Sequence, residues 1–363
     1  MKGVSPMDRS HKWLFLAVLA GAMVLIAGLC WARSDGRAQA QAQKKVVEQQ
    51  KQDPEEPYTE EEYNAYEQAT KEPDLAKREA ALIAFMDKYP KSKLQVYIVT
   101  AYETLLADYY KSGDYKKLEP AAEKWLKYKP NDLRCIAFIT ESAQKTGQDK
   151  KVVEYGEKLF AQKPSPEVAL LLFQSYQKTG DKVKELEFAQ KLLEYPEYND
   201  NFELRMMFVS KYANEKNGLT KAAEYAQLAL KSFALAKKPA GVPEADWNKA
   251  SVFVRRTCYD IIGMNLVEQK KYAEAIPELE KALKVEKYDS GYYYIAYSQW
   301  MLKDYEDAYL NFAVAELLKG PMQAQAKSHF EELYKEYHNG NLTGSDKIYR
   351  KAQIILNGGD PNK

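Results

Sequence analysis

The stretch GDYKKLEPAAEKWLKYKP, residues 113–130, is followed at a shift of 34 residues by GQDKKVVEYGEKLFAQKP, residues 147–164. Both open on glycine (Gly113, Gly147) and close on proline (Pro130, Pro164). Gly180 follows Gly147 after 33 residues, and KELEFAQKLLEYP closes on Pro196. Downstream, KKYAEAIPELEKAL (270–283) and KDYEDAYLNFAVAEL (303–317) superimpose at a shift of 33, aligning Tyr272 with Tyr305, Ala275 with Ala308 and Ala282 with Ala315. Self-similarity at a fixed period of this size is the signature of a chain built from stacked supersecondary units. Within each unit apolar residues recur at three and four positions, the helical spacing. In the unit at 256–289 the first helix offers Tyr259, Ile262, Gly263 and Leu266. The turn is Gln269-Lys270-Lys271, and the second helix offers Ala275, Leu279, Ala282 and Leu283. Small residues at Gly263, Ala275 and Ala282 allow two antiparallel helices to approach closely. A proline after the second helix stops it, because proline cannot continue a helix and restricts the residue before it.

These features resemble the tetratricopeptide repeat. The unit at 99–132 carries Tyr102, Leu105, Tyr109, Gly113, Tyr115, Leu126 and Pro130 in the family's phase, departing at Leu106, Leu118 and Ala122. The unit at 256–289 matches at Tyr259, Gly263, Tyr272, Ala275, Ala282 and Leu283 but lacks the proline. The unit at 289–320 matches at Tyr292, Ile295, Ala296, Tyr305, Ala308, Phe312 and Ala315. Weaker units follow the same phase at 133–165 and 166–198, and the unit near 202–239 is followed by an insertion. REAALIAFMDKYPKS (78–92) reads as the second helix of a first, divergent unit. HFEELYKEYHNG and DKIYRKAQIIL supply two final helices. The resemblance implies an all-α, right-handed superhelical solenoid of seven or eight antiparallel hairpins over residues 58–356, ending in a tail at 357–363. ALIAFMDKYPKSK (81–93) is also similar to repeats of exported bacterial envelope proteins.

The resemblance further implies a non-catalytic scaffold that binds a protein or peptide along a concave face lined by the first helices. Phasing α-helical positions around Ile295 and Ala296, which point inward, places Tyr293, Tyr297, Trp300 and Met301 on that face as candidate partner-binding residues; packing against a neighbouring or C-terminal helix is the competing arrangement. The corresponding positions at 133–165 are Arg134, Ala137, Glu141, Gln144 and Lys145, which read as polar and solvated. A self-assembling structural protein is the alternative function. The Lys/Asn clamp that some family members use for C-terminal carboxylates is not found.

Charge and composition exclude other classes. The chain has 363 residues with 53 Lys+Arg against 52 Asp+Glu. Five basic residues (Lys2, Arg9, Lys12, Arg33, Arg37) and two acidic ones (Asp8, Asp35) lie in the first 40, leaving 48 against 50 beyond them. A near-neutral body argues against nucleic acid as partner. Three histidines and three cysteines leave little material for a zinc site or a disulfide scaffold. No GxSxG, HExxH, P-loop or dinucleotide fingerprint occurs, so neither an enzyme nor a cofactor is expected. His329, on a charged helix, reads as solvated. Cys135 and Cys258, at equivalent positions three units apart, read as buried free thiols.

The N-terminus carries a targeting signal. Trp13 to Trp31 is a run of 19 residues without charge. That is close to the roughly 20 apolar residues a membrane helix needs, with a tryptophan at each end where interfacial aromatics sit. Ala38-Gln39-Ala40 offers a small-x-small cleavage site for the competing signal-peptide reading. Residue 1–31 is therefore an anchor or a signal peptide, and either one exports the rest. Leu29 before Cys30 is too large for a lipidation motif. Residues 32–57, rich in Gln and charge, read as a solvated linker.

Overall fold

The computed structural model describes residues 58–360. These form sixteen α-helices with no strand among the described residues. They divide into two compact units, one ending at Leu192 and the other beginning at Leu193. The apolar run at 13–31 and the linker lie outside the described residues. Within those residues no helix is long and apolar enough to cross a membrane.

The first unit contains α1 (Glu60–Lys71), α2 (Leu75–Lys88), α3 (Gln95–Ser112), α4 (Tyr115–Leu126), α5 (Leu133–Lys145), α6 (Asp149–Gln162), α7 (Pro166–Thr179) and α8 (Lys182–Leu193). Side-chain caps fix many of the starts. Thr59 and Glu62 form a reciprocal capping box at α1, and Asp74, Asp114, Asp132 and Ser165 each accept a backbone N–H of the first turn of α2, α4, α5 and α7. Such caps satisfy donors that the helix itself leaves unpaired.

The turn inside each hairpin explains the recurring glycine. Gly113 has φ 70° and Gly147 φ 74°. The Gly113 N–H donates to the Tyr110 carbonyl (3.0 Å) and the Asp114 N–H to the Tyr109 carbonyl (3.2 Å). The same pair recurs at Gly147 and Gln148. This is the Schellman closure, which needs a left-handed residue just past the helix end. Glycine adopts that conformation without a Cβ penalty.

The core of this unit is aromatic. Tyr102 stacks on Trp125 at 4.7 Å between centroids, and its hydroxyl donates to the Ala121 carbonyl (2.9 Å). Ala121 and Ala122 are fully buried, as small residues at a close helix crossing should be. Helix α5 is buried at every position from Cys135 to Ala143.

The second unit contains α9 (Phe202–Ala213), α10 (Leu219–Leu235), α11 (Glu244–Glu268), α12 (Tyr272–Val285), α13 (Asp289–Met301), α14 (Tyr305–Leu317), α15 (Gln323–Tyr337) and α16 (Ser345–Leu356). The insertion seen in the sequence is the connection after α10 together with the first turns of the 25-residue α11. At two hairpin turns of this unit the Schellman pairing is made without glycine. Lys270 (φ 61°) donates to the Val267 carbonyl and Lys271 to Leu266, while Lys303 (φ 65°) donates to Trp300 and Asp304 to Gln299. Gly263 in α11 has a packing role: a Cβ there would lie 2.5 Å from Leu279 Cγ of α12. Leu279, Ala275 and Ala282 are fully buried around that crossing.

Candidate interaction site

Helix α13, DSGYYYIAYSQWM, has no wholly polar face, and it is enclosed on more than one side. Ile295 and Ala296 are buried, as their inward phase requires. Of the four candidate residues, Tyr293 is not on an open groove. It is 8% exposed, its ring stacks on His329 of α15 (5.6 Å, 24°) and meets Phe312 of α14 edge-on (5.7 Å), and its hydroxyl lies 3.2 Å from His329 Nδ1. Tyr297 is half-buried, edge-on to Tyr272 (6.2 Å) and Trp300 (6.2 Å). Trp300 is half-buried against His329 (5.4 Å) and Phe312 (6.2 Å). Met301 is exposed at 38%, and Leu302 beside it at 47%. The face is therefore closed over Tyr293, half-open at Tyr297 and Trp300, and open at Met301.

His329 is the residue that sequence reasoning missed. It is not solvated on a charged helix but sits among four rings, those of Tyr293, Tyr297, Trp300 and Phe312. Burial holds its pKa below the ordinary histidine value, and Glu332 pulls weakly in the opposite direction. The surrounding charge pattern of α15 concealed this, because Lys327 and Glu332 around it are exposed while His329 itself faces α13 and α14.

A polar cluster flanks the same helix. The Tyr288 hydroxyl donates to Asp260 Oδ1 of α11 (2.9 Å). Burial pushes the Asp260 carboxyl up to about 6, against the Tyr288 hydrogen bond and Arg256. The Arg256 guanidinium lies 5.1 Å over the Tyr288 ring and its Nε 3.3 Å from Glu286 Oε2. Tyr294, half-buried, is pushed up to about 12 by burial, with Asp260 and Glu268 adding to the shift. The Tyr288–Asp260 bond ties α11 to the start of α13, while Arg256 Nε, near Glu286, makes no hydrogen bond.

At the corresponding positions of the first unit the polar, solvated reading is corrected for two residues. Ala137 is 3% exposed and Glu141 9%, since α5 is enclosed on nearly all sides. Glu141 accepts the Tyr110 hydroxyl (3.2 Å), and burial raises its pKa. Arg134 pairs with Glu103 (3.1 Å), Gln144 is half-buried, and only Lys145 is fully exposed. Cys135 and Cys258 are buried free thiols, and burial raises the pKa of both. Among the described residues no group of His, Cys, Asp and Glu is placed to hold a metal ion.

The class of protein that this geometry defines is an all-helical repeat of helix hairpins, with the period, the turn closure and the small-residue crossings in the same phase. Neither a family model nor a characterised protein sequence matches the chain. Among solved structures, it is similar to a tetratricopeptide repeat protein from Parabacteroides merdae, with 15% identity over 75% of this chain and 96% of that one and a TM-score of 0.29. It is also similar to a thermophilic TPR protein of Thermus thermophilus, with 15% identity over 64% of this chain and 97% of that one and a TM-score of 0.24.

Proposed function

We propose that the chain is a non-catalytic scaffold that binds a protein or peptide, and that its N-terminal apolar segment holds the repeats outside the cytoplasmic membrane. The observation that carries the binding half is the open end of α13, where exposed Met301 and Leu302 continue from half-buried Tyr297 and Trp300. Contiguous exposed apolar surface tends to mark an interaction site, and aromatic residues and methionine are enriched at interfaces. The near-balanced charge of the chain favours a protein over a nucleic acid as that partner. The membrane half rests on the 19-residue uncharged run Trp13 to Trp31, followed by a polar linker to residue 57. On this reading residues 1–31 anchor, 32–57 space, 58–356 bind and 357–363 trail.

The test is crosslinked capture from native membranes, wild type against Met301→Asp. Met301 is exposed enough for the exchange to leave folding intact, so the melting temperature should be unchanged while capture of the specific partner is lost. Equal capture by both would refute the site. A wild-type mass that rises with concentration in light scattering, and falls on the same exchange, would make a second copy the partner. An N-terminus at Gln41 or Gln43 in the isolated protein would replace the anchor by a cleaved signal.

A further inference from the structure

Tyr305 is the first residue of α14 and Tyr337 the last of α15. Their rings stack with centroids 4.3 Å apart and planes inclined by 30°. The Tyr337 hydroxyl donates to the Tyr305 hydroxyl (2.8 Å). The hydroxyl ends are thus closer than the ring centres. The ortho carbons, which lie between oxygen and centre on each ring, face one another across the stack. Tyr58–Tyr63, Tyr212–Tyr225 and Tyr293–Tyr297 also stack but are wider, with centroids 5.7, 5.6 and 6.5 Å apart.

The pair is open to dissolved reagents, since Tyr337 is 48% exposed and Tyr305 half-buried. Its surroundings are acidic. Asp304, Glu306, Asp307 and Glu336 are exposed, and none has an ion-pair partner among the described residues. Two of them reach this tyrosine group from different helices: burial chiefly pushes the Tyr309 hydroxyl up to about 12, and Glu306 and Glu336 both add to the shift. Negative charge so close favours removal of an electron from a ring. The bond to Tyr305, with burial, pushes the Tyr337 hydroxyl up to about 12, so this ring is a neutral phenol at neutral pH.

We propose that Tyr305 and Tyr337 are an oxidative cross-linking site, at which hydrogen peroxide acting through a haem peroxidase staples α14 to α15 by a carbon–carbon bond between the two rings. Each phenol gives up one electron to the peroxidase and its hydroxyl proton to water. The unpaired spin of each radical is shared with its ortho carbons, and the two radicals couple there. Each ring then passes its displaced ortho hydrogen to its own oxygen, which restores two phenols as dityrosine. One hydrogen peroxide takes up the two electrons and two protons and leaves as two water molecules. The joined rings meet edge to edge, so the stack must open. Both residues sit at helix ends, and Tyr337 is followed closely by the left-handed Asn339 and Gly340. The staple joins residues 32 positions apart, and closing a loop of that length restricts the unfolded chain. Neither tyrosine belongs to the open end of α13, so the site stands apart from the binding face.

The test treats the purified full-length chain, dilute in nonionic detergent, with a haem peroxidase and an equimolar amount of hydrogen peroxide. Dityrosine fluorescence, a denaturing gel and mass spectrometry of tryptic peptides read the products. Peptides 304–319 and 336–347 should be found joined, lighter than their sum by two hydrogens, with fragment ions placing the bond on Tyr305 and Tyr337. The joined chains should run as monomers and melt at a higher temperature than untreated ones. Tyr337→Phe keeps the ring and removes the hydroxyl, and it should lower the fluorescence at least fivefold. If that variant fails to fold, Tyr305→Phe takes its place with the same expectation. Undiminished fluorescence in the variant, a dominant bond at other tyrosines, bonds formed only between chains, a joined protein that melts no higher, or no dityrosine at all would each overturn the proposal.

Discussion

Replacing Gly263 by alanine puts two opposing effects in one residue. Alanine is the better helix former by roughly 0.8–1 kcal/mol in a helix interior, so Gly263→Ala in an open position of α11 should stabilise. Here the new Cβ would lie 2.5 Å from Leu279 Cγ, 2.6 Å from Cδ2 and 3.4 Å from the Leu279 backbone nitrogen. Ordinary carbon–carbon contact is about 3.5–4.0 Å, so Leu279 must move by about an ångström or the helices must part. Leu279 is fully buried, so any such movement presses on its neighbours in the core. Overpacking of this kind costs about 1–3 kcal/mol, which at least cancels the propensity gain and leaves a net loss of about 0–2 kcal/mol. Leu279→Ala alone should cost about 2–5 kcal/mol through the cavity it leaves. In the double variant the new methyl enters that cavity, so the two losses should fall short of additivity by about 1 kcal/mol or more. Urea unfolding followed at 222 nm measures all four proteins. A Gly263→Ala protein more stable than wild type, or strict additivity in the double variant, would refute the close crossing of α11 and α12.

Two further perturbations follow from the same geometry. Lys303→Gly should raise stability by about 1 kcal/mol, because a side chain at φ 65° bears a left-handed penalty of roughly 1–2 kcal/mol that glycine lacks; thermal unfolding of the variant checks this, and a fall in stability would show that the turn is not held in that conformation. Glu203 is 6% exposed with Oε2 unpartnered, and burial pushes its pKa up to about 8 from an ordinary 4.5. Because its folded pKa is raised, the penalty is absent below the ordinary value, grows as pH rises above it and is complete once pH passes about 8. At about 1.4 kcal/mol per pKa unit, Glu203→Gln should gain about 4–5 kcal/mol over wild type at pH 8.5 and little at pH 4. A stability difference independent of pH would show that the carboxyl is hydrated.

What the sequence determined by itself is local. The period of 33–34, the helix pairs and the turn closure all depend on residues within a few positions of one another: apolar spacing, a capping Asp or Ser, a glycine just past a helix end. The repeat phase placed the turn at Gln269-Lys270-Lys271 even though Lys270, like Lys303, keeps the left-handed turn without the glycine that announces it elsewhere. It also carried the small-residue crossing at Gly263, because a missing side chain is visible in the sequence. What only the tertiary structure decided is which faces are covered. A helix in a stack meets partners on two or three sides, so polarity around its circumference does not single out an inner face. Tyr293 is closed over by α15, His329 is drawn in among four rings although its helix is charged, and Glu141 is buried although its neighbours read as solvated. A cleft beside Trp125, among helix ends of the first unit, joins residues up to 43 positions apart, from Met86 to Lys129. Its existence depends on how three helix ends meet, and no spacing within any one of them records that.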